Sequence, residues 1–292
     1  MAGLVHGRQG IRRFLKVIVS RSNCIFENLA FEEWLFRNHN VAADGELVLL
    51  WSNSPTVVIG RHQNPWLEAN LPFLERNGIS LVRRQSGGGA VYHDSGNLNI
   101  SFLTEHRYHN RKRNLKFLAD ILNTRYNVKV ESNKRDDLLL QPGNRKFSGT
   151  AARIARGQAY HHLTLLVKVD KNIVTNASRS VPAAAIGYLT QEDENISVTS
   201  VTNSILSELK KDYKECDITF LSIINDDTVF SGVKKNQQLL RSWEWTFGKT
   251  PKFEISFKAG KATVEAGIIR SCSFKTDMIN QRLPKVLDEI SA

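Results

Sequence analysis

From residue 14 onward, alternating and 3.6-period runs of apolar residues divide the chain into strands and helices. FLKVIVS (14–20) alternates loosely and predicts a strand. NLAFEEWLFR (28–37) sets Leu29, Trp34 and Leu35 at helical spacing, with Asn28 as the expected N-cap. ELVLLW (46–51) and TVVI (56–59) read as two strands joined by the short turn SNSP. A helix is expected over residues 65–77, with proline at its start and Gly78 just past its end. SLVRR (80–84) is strand-like, three glycines interrupt, and AVYH (90–93) resumes the strand character. In NLNISF (97–102), Leu98, Ile100 and Phe102 share one face, while Asn97, Asn99 and Ser101 share the other.

Residues 111–126 give the clearest helix, with Leu115, Leu118, Ile121 and Leu122 along one stripe. Short strands are expected at 128–130 and 137–140, then a turn at PGN (142–144), the run RKFSGTAARI, and a strand over 159–169. A helix from Ser204 runs into the charged stretch KKDYKE. After about residue 228 the texture changes to a Trp-rich motif, two strands around residues 253–264, and a terminal helix. The interleaving lacks strict βαβ regularity, so the expected class is α+β with a mixed sheet. The expected organisation is a main domain over 14–228 and a small α+β accessory unit over 229–292.

Composition narrows the picture. No apolar run approaches the roughly 20 residues needed to span a bilayer, so no membrane role is expected. Cys24, Cys216 and Cys272 are far apart and odd in number, and no CxxC or His/Cys cluster suggests a zinc site. The net charge of +11 is compatible with nucleic acid, with an acidic protein partner, or with an organelle address. No nucleic-acid-binding motif accompanies it. Arg8, Arg12, Arg13, Lys16 and Arg21 precede the first acid, Glu27, in the manner of an organelle transit sequence, of which 1–13 would be the remnant. If 14–20 is already a strand, little room is left for such a presequence, and a cytoplasmic location is the alternative. HRYHNRKRNLK (106–116) sets cations at an expected helix start, where they oppose the helix dipole. That pattern suits an acidic partner domain or RNA, and equally a solvated face.

Three stretches carry candidate chemistry. In RRQSGGGAVYHD (83–94), consecutive glycines are costly to order, and they allow backbone N–H groups to converge on an oxyanion beside a guanidinium. A β-bulge or sheet bend explains them as well. The run is neither a Walker A loop nor a dinucleotide-binding fingerprint. In RKFSGTA (145–151), a strand would put Lys146 and Ser148 on one face, where the lysine either reaches an anionic ligand or is a surface cation. In YHHLTLL (160–166), His162 and Thr164 share a face and His161 takes the other, which excludes an adjacent-histidine metal pair.

VVIGRHQNPW (57–66), RRQSGGGAVYHD (83–94), RDDLLL (135–140), RKFSGTA (145–151), HHLTLL (161–166), VTSVTN (198–203) and SWEWTFGKTPKF (242–253) occur in that order. So arranged, they resemble the lipoate–protein ligase and lipoyltransferase family over residues 14 to 260. The flanking text is most similar to its animal mitochondrial branch. The resemblance implies the biotin/lipoate protein ligase type of mixed-sheet domain, with lipoyl-AMP as the substrate. It puts Arg84 and Gly89, Ala90, Val91 and Tyr92 on the phosphate and nucleotide side and Ser86 near the acyl carbonyl, with Gly87 and Gly88 also among the binding residues. Arg135 and Asp137 would sit at the nucleotide end, and Lys146 would bridge carbonyl and phosphate. Thr164 would line the same pocket, and Arg153 would stand at the mouth of an apolar acyl tunnel.

The implied acceptors are lipoyl domains of 2-oxo acid dehydrogenase E2 subunits and the glycine cleavage H-type protein. The implied setting is a monomer in the mitochondrial matrix, with no nucleic acid and no bound metal. ATP and magnesium enter only if the chain is a ligase performing both activation and transfer. The expected shortness of the carboxyl-terminal unit speaks for transfer alone. A cysteine-dependent acyltransferase is disfavoured because no cysteine lies between Cys24 and Cys216. A biotin ligase is disfavoured because its GRGRxGR-type loop is missing. A catalytically silent binding protein on the same fold is the alternative of a different class.

Overall fold

The computed structural model of the protein describes residues 14–179 and 186–285. The expected presequence remnant and most of the expected terminal helix lie outside them. From the amino end, β1 (Phe14–Ser20) leads into α1 (Ile25–Asn38), α2 (Val41–Asp44), β2 (Glu46–Trp51) and β3 (Thr56–Ile59). Then come α3 (Pro65–Glu68), α4 (Leu71–Arg76), β4 (Ser80–Arg83), β5 (Val91–His93) and β6 (Asn97–Glu105). Helix α5 (Arg111–Arg125) feeds β7 (Lys129–Ser132), β8 (Leu138–Gln141), β9 (Arg145–Lys146), β10 (Ser148–Ala155) and β11 (Gln158–Leu166). After α6 (Lys171–Ala177) and α7 (Val198–Asp212) lies β12 (Glu215–Leu221), followed by α8 (Val233–Arg241) and α9 (Trp243–Thr246). Strands β13 (Phe253–Phe257), β14 (Gly260–Glu265) and β15 (Ile268–Cys272) form an antiparallel meander.

The main sheet is mixed, as expected, in the order β10-β11-β6-β2-β1-β12. Strand β1 runs parallel to both neighbours, and the remaining pairs are antiparallel. One face (Leu15, Val17, Val48, Leu50, Leu98, Ile100, Leu163, Leu165) buries against Leu115, Leu118 and Leu122 of α5 and Val201, Ile205 and Leu209 of α7. The other face (Ile18, Leu47, Leu49, Trp51, Leu103, Tyr160) is covered by Leu29, Leu35 and Phe36 of α1 and by Val233 and Leu240 of α8. Covering both faces explains why Asn97, Asn99 and Ser101 are buried instead of solvated. Truncating any one of these large apolar side chains would cost roughly 2–5 kcal/mol. Among the described residues, no helix is long and apolar enough to cross a membrane.

Several local expectations change. Helix α1 begins at Ile25, so Asn28 lies inside it. Its amide reaches Ser22 O (2.8 Å) and Asn53 Oδ1 (3.0 Å) while Ser20 Oγ donates to it (2.7 Å), which ties three segments together. Strands β2 and β3 do not pair with each other and belong to different sheets. The expected helix over 65–77 is broken at Asn70, whose side chain accepts from Phe73 N and caps α4, with Pro72 in the first turn. The helix expected from Ser204 starts at Val198 and ends at Asp212, within KKDYKE, so Cys216 falls outside it. That cysteine lies on the edge strand β12 opposite Leu15, where Cys216 and Ile218 pack inward. The carboxyl-terminal sheet has a third strand, β15.

Candidate active site

Strands β4 and β5 flank β3, so the chain between them must cross the end of β3. That crossing is the loop of residues 84–90. It passes so close to Gly60 that a Cβ there would lie 2.0 Å from the Gly88 carbonyl oxygen. Gly88 itself has φ +93°, in the left-handed region that favours glycine. The buried Arg84 side chain braces the loop from inside. Its guanidinium donates to Gly87 O (2.6 Å), Gly89 O (2.8 Å), Ser86 Oγ (3.2 Å) and Val58 O (3.2 Å). Burial pushes Arg84 down to about 10, with Tyr160 and Glu32 opposing the shift, and it stays cationic at neutral pH.

The loop rests on β10. A Cβ on Gly88 would meet Thr150 O at 3.6 Å and Ala151 at 3.9 Å. Nearby, Gly149 lies opposite Thr164, whose Oγ1 accepts the Gly149 N–H at 3.0 Å. A Cβ on Gly149 would also meet Val91 at 3.1 Å. Gly88, Val91 and Thr164 are therefore gathered around β10, and Ser86 is held to the same loop by Arg84. Ala90 and Tyr92 are buried in an apolar cluster with Val57, Ile59 and Trp66, and burial raises the Tyr92 phenol.

Lys146 lies in another sheet, in which β7, β8 and β9 pair in order. The chain changes sheets at Phe147, which is fully buried; its N–H donates to Leu138 O (3.2 Å) and its carbonyl accepts from Leu166 N (2.8 Å). This crossover separates Lys146 from Ser148, contrary to the expectation of a shared face. Ser148 is buried and accepts from Leu138 N at 2.6 Å, whereas the Lys146 side chain is 49% exposed. Its Nζ lies 2.7 Å from Asp137 Oδ1, across the β8–β9 hairpin. The adjacent Asp136 faces Arg111 at 3.8 Å. Arg135 is exposed and makes no ion pair among the described residues.

Between α1 and the sheet lies a buried polar seam that sequence reasoning did not assemble. His162 Nδ1 is 3.1 Å from Glu32 Oε1, and the Trp51 ring stands edge-on to His162 with centroids 4.9 Å apart. His93 Nδ1 pairs with Asn53 Nδ2 at 3.0 Å, and burial holds this imidazole well below its ordinary pKa, with His162 and Arg84 adding to the effect. The ring nitrogens Trp51 Nε1 and His93 Nε2 find no partner among the described residues. Alongside, a small cavity is lined by Glu32, Leu35, Phe36, Leu47, Leu49, Ser101, Leu103 and Tyr160. Arg153 stands beside it, ion-paired with Glu33 and 4.7 Å above the Phe36 ring. The available sequence signal was Glu32 itself, an acid at helical spacing with Leu29, Leu35 and Phe36.

The described residues thus hold a braced glycine loop against β10, a half-exposed ammonium on the β8–β9 hairpin, and a small cavity beneath α1 with mostly apolar walls. A family model described as the lipoyl protein ligase A/B catalytic domain matches residues 24–214. A human protein described as lipoyl amidotransferase LIPT1, mitochondrial, is 40% identical over 256 residues, covering 82% of this chain and 67% of that protein. Lipoate-protein ligase A of Bdellovibrio bacteriovorus is 32% identical over 299 residues, covering 95% of this chain and 86% of the relative. Among solved structures, LipL1 of P. falciparum in complex with lipoate aligns with a TM-score of 0.71 at 27% identity, covering 87% of this chain and 82% of that one. The chain therefore belongs to the lipoyl protein ligase A/B catalytic-domain family of lipoyl-transferring enzymes.

Proposed function

We propose that this chain moves a lipoyl group from lipoyl-AMP, or from a lipoylated carrier protein, to one lysine of an acceptor protein. The proposed acceptors are lipoyl domains of E2 subunits and glycine cleavage H-type proteins, in the mitochondrial matrix. The observation that carries this reading is the placement of Lys146. Its half-exposed ammonium sits one crossover before β10, the strand on which the glycine loop rests.

The substrate is already an activated mixed anhydride, so the protein's task is positioning and charge stabilisation. Amides of Gly87, Gly88 and Gly89 would cradle the phosphate, with Arg84 holding their loop in shape, and Arg135 and Asp137 would border the nucleotide. The acyl chain needs an apolar slot, and the small cavity between Tyr160, Phe36, Leu47 and Leu49, with Arg153 beside it, would have to widen to take it. A neutral acceptor amine adds to the acyl carbonyl, whose oxygen gains negative charge. As the tetrahedral species collapses, the bond to phosphate breaks, AMP leaves, and the amine's surplus proton passes to solvent. Lys146 would offset charge first on the carbonyl oxygen and then on the departing phosphate. The nucleophile's free pKa is about 10.4, so docking must favour its neutral form.

A second reading is ligation of free lipoate with ATP and magnesium, favoured by the likeness to the bacterial ligase over nearly the whole chain. Mass spectrometry of an apo lipoyl domain separates the two. With lipoyl-AMP and this protein, one lipoyl group should appear on the acceptor lysine. Modification with only ATP, magnesium and lipoate would establish the ligase reading, and no modification under either condition would refute both.

A further inference from the structure

We infer that the basic surface around the far end of β10 and the start of α5 is the docking site for an acidic face of the acceptor protein. This rests on the transfer reading above and assigns the acceptor's place on the molecule. Among the described residues, strand β10 is the outer strand of the main sheet and pairs with β11 on one side only. Toward its end, Ile154 is 51% exposed, an apolar side chain on an open strand edge. The following turn, Arg156 and Gly157, is joined to the 106–109 segment by a hydrogen bond from His106 N to Gly157 O at 2.8 Å. That segment adds Tyr108, 47% exposed, with the Arg107 guanidinium 4.8 Å from its ring centre.

Cations surround these two apolar groups. Arg107 and Arg156 are exposed beside them, and Arg111, Lys112 and Arg113 occupy the first turn of α5. The first turn of a helix favours negative charge, so three cations there carry a cost that an incoming acidic group would reverse. The local acids are few: Glu105 is taken by Arg107 at 2.9 Å and Asp136 by Arg111 at 3.8 Å. Lys112, Lys134 and Arg156 have no ion pair among the described residues. The surface therefore combines an apolar centre, an open strand edge and unneutralised positive charge, which together fit an acidic protein face. Nucleic acid shares only the charge complementarity. Location decides the role: Arg111 grips Asp136, and the next residue, Asp137, grips Lys146. Through Arg111 and Asp136 the patch therefore adjoins the hairpin that carries Lys146.

The test uses the full chain with Arg107, Lys112 and Arg156 each changed to Glu, none of which belongs to the transfer machinery. Binding of an apo lipoyl domain is titrated directly by calorimetry, and AMP release from lipoyl-AMP is followed with hydroxylamine replacing the protein acceptor. For the unmodified protein, acceptor affinity should fall steeply with added salt. In the triple variant it should weaken by at least about tenfold and lose most of that salt dependence. AMP release to hydroxylamine should be unchanged. Acceptor binding that is unchanged in the variant, absent in the unmodified protein, or undisturbed while RNA binding is lost would each overturn the docking site. Intact, charge-sensitive acceptor binding without any transfer would instead count against the catalytic reading alone.

Discussion

Asp136 and Asp137 each face a cation of a different element, Arg111 of α5 at 3.8 Å and Lys146 of β9 at 2.7 Å. The second pair is the more consequential, because Asp137 is buried and holds an ammonium that is half in solvent. Removing the carboxylate leaves the lysine charge in place but unanchored. Asp137→Asn is expected to slow transfer from lipoyl-AMP by roughly tenfold while the melting temperature stays near that of the unmodified protein. Stopped-flow rates with a saturating acceptor provide the check. An unaltered rate would mean that Asp137 does not position Lys146.

The glycine loop makes a sharper set of expectations than its composition suggests. Gly88→Ala forces a left-handed φ on a residue with a Cβ and brings that atom to 2.9 Å from the bracing Arg84. Gly60→Ala, outside the glycine run, collides with the Gly88 carbonyl. Both should weaken lipoyl-AMP binding by at least about tenfold. Gly87→Ala should be close to neutral, since a Cβ there meets nothing within 4 Å. Equilibrium binding of a non-hydrolysable lipoyl-AMP analogue to the three variants measures the ordering.

Arg83, the neighbour of Arg84, plays a different part. It is fully buried and donates to the carbonyls of Trp245 (3.0 Å), Thr246 (2.7 Å), Arg61 (2.9 Å) and Gln63 (2.7 Å), while Trp245 Nε1 donates back to Arg83 O (2.7 Å). Burial lowers it to about 10, which leaves it charged at neutral pH. Lysine cannot reproduce this planar fork. Arg83→Lys should destabilise the protein by roughly 3 kcal/mol or more through unpaired buried carbonyls, a melting shift of at least about 6 °C. Calorimetry reads it directly.

Acid should weaken the fold in a defined window. Burial, reinforced by Arg111, His109 and His162, pushes His161 from 6.5 down to about 3. Between those values the unfolded chain takes up a proton that the folded chain refuses. Stability is therefore full above about pH 6.5 and is lost as pH falls toward 3, by up to about 1.4 kcal/mol per pH unit for this one group. His93 acts in the same direction. Urea unfolding at pH 7, 6 and 5 should show a shallower loss for His161→Gln than for the unmodified protein.

The elements legible in the sequence were those that bury one stripe and expose another. Helix α5 and strand β1 follow their apolar periodicity closely. Strand β6 illustrates the limit, because its polar face alternates as a solvated face would and yet α1 covers it. Strand β12 was missed because its charged approach resembles a helix end, and only Cys216 and Ile218 mark the buried side. For the candidate site, the ordered motifs singled out the glycine loop, Thr164 and Lys146. They carried no sign that Arg84 spends its donors on the loop's own carbonyls or that Phe147 turns Ser148 away from Lys146. Those facts depend on pairings across sheets. Likewise, nothing local to Arg83 announces Trp245 and Thr246, which lie more than 160 residues further along.

The most direct measurement is the single-turnover rate at which Lys146→Ala passes the lipoyl group from bound lipoyl-AMP to an apo lipoyl domain. The affinity for lipoyl-AMP should be measured alongside it. If the ammonium at this hairpin stabilises the charge that moves from carbonyl to phosphate, the rate should drop by at least about 10²-fold with the adenylate still bound. A folded variant that binds the adenylate and transfers at the native rate would contradict it.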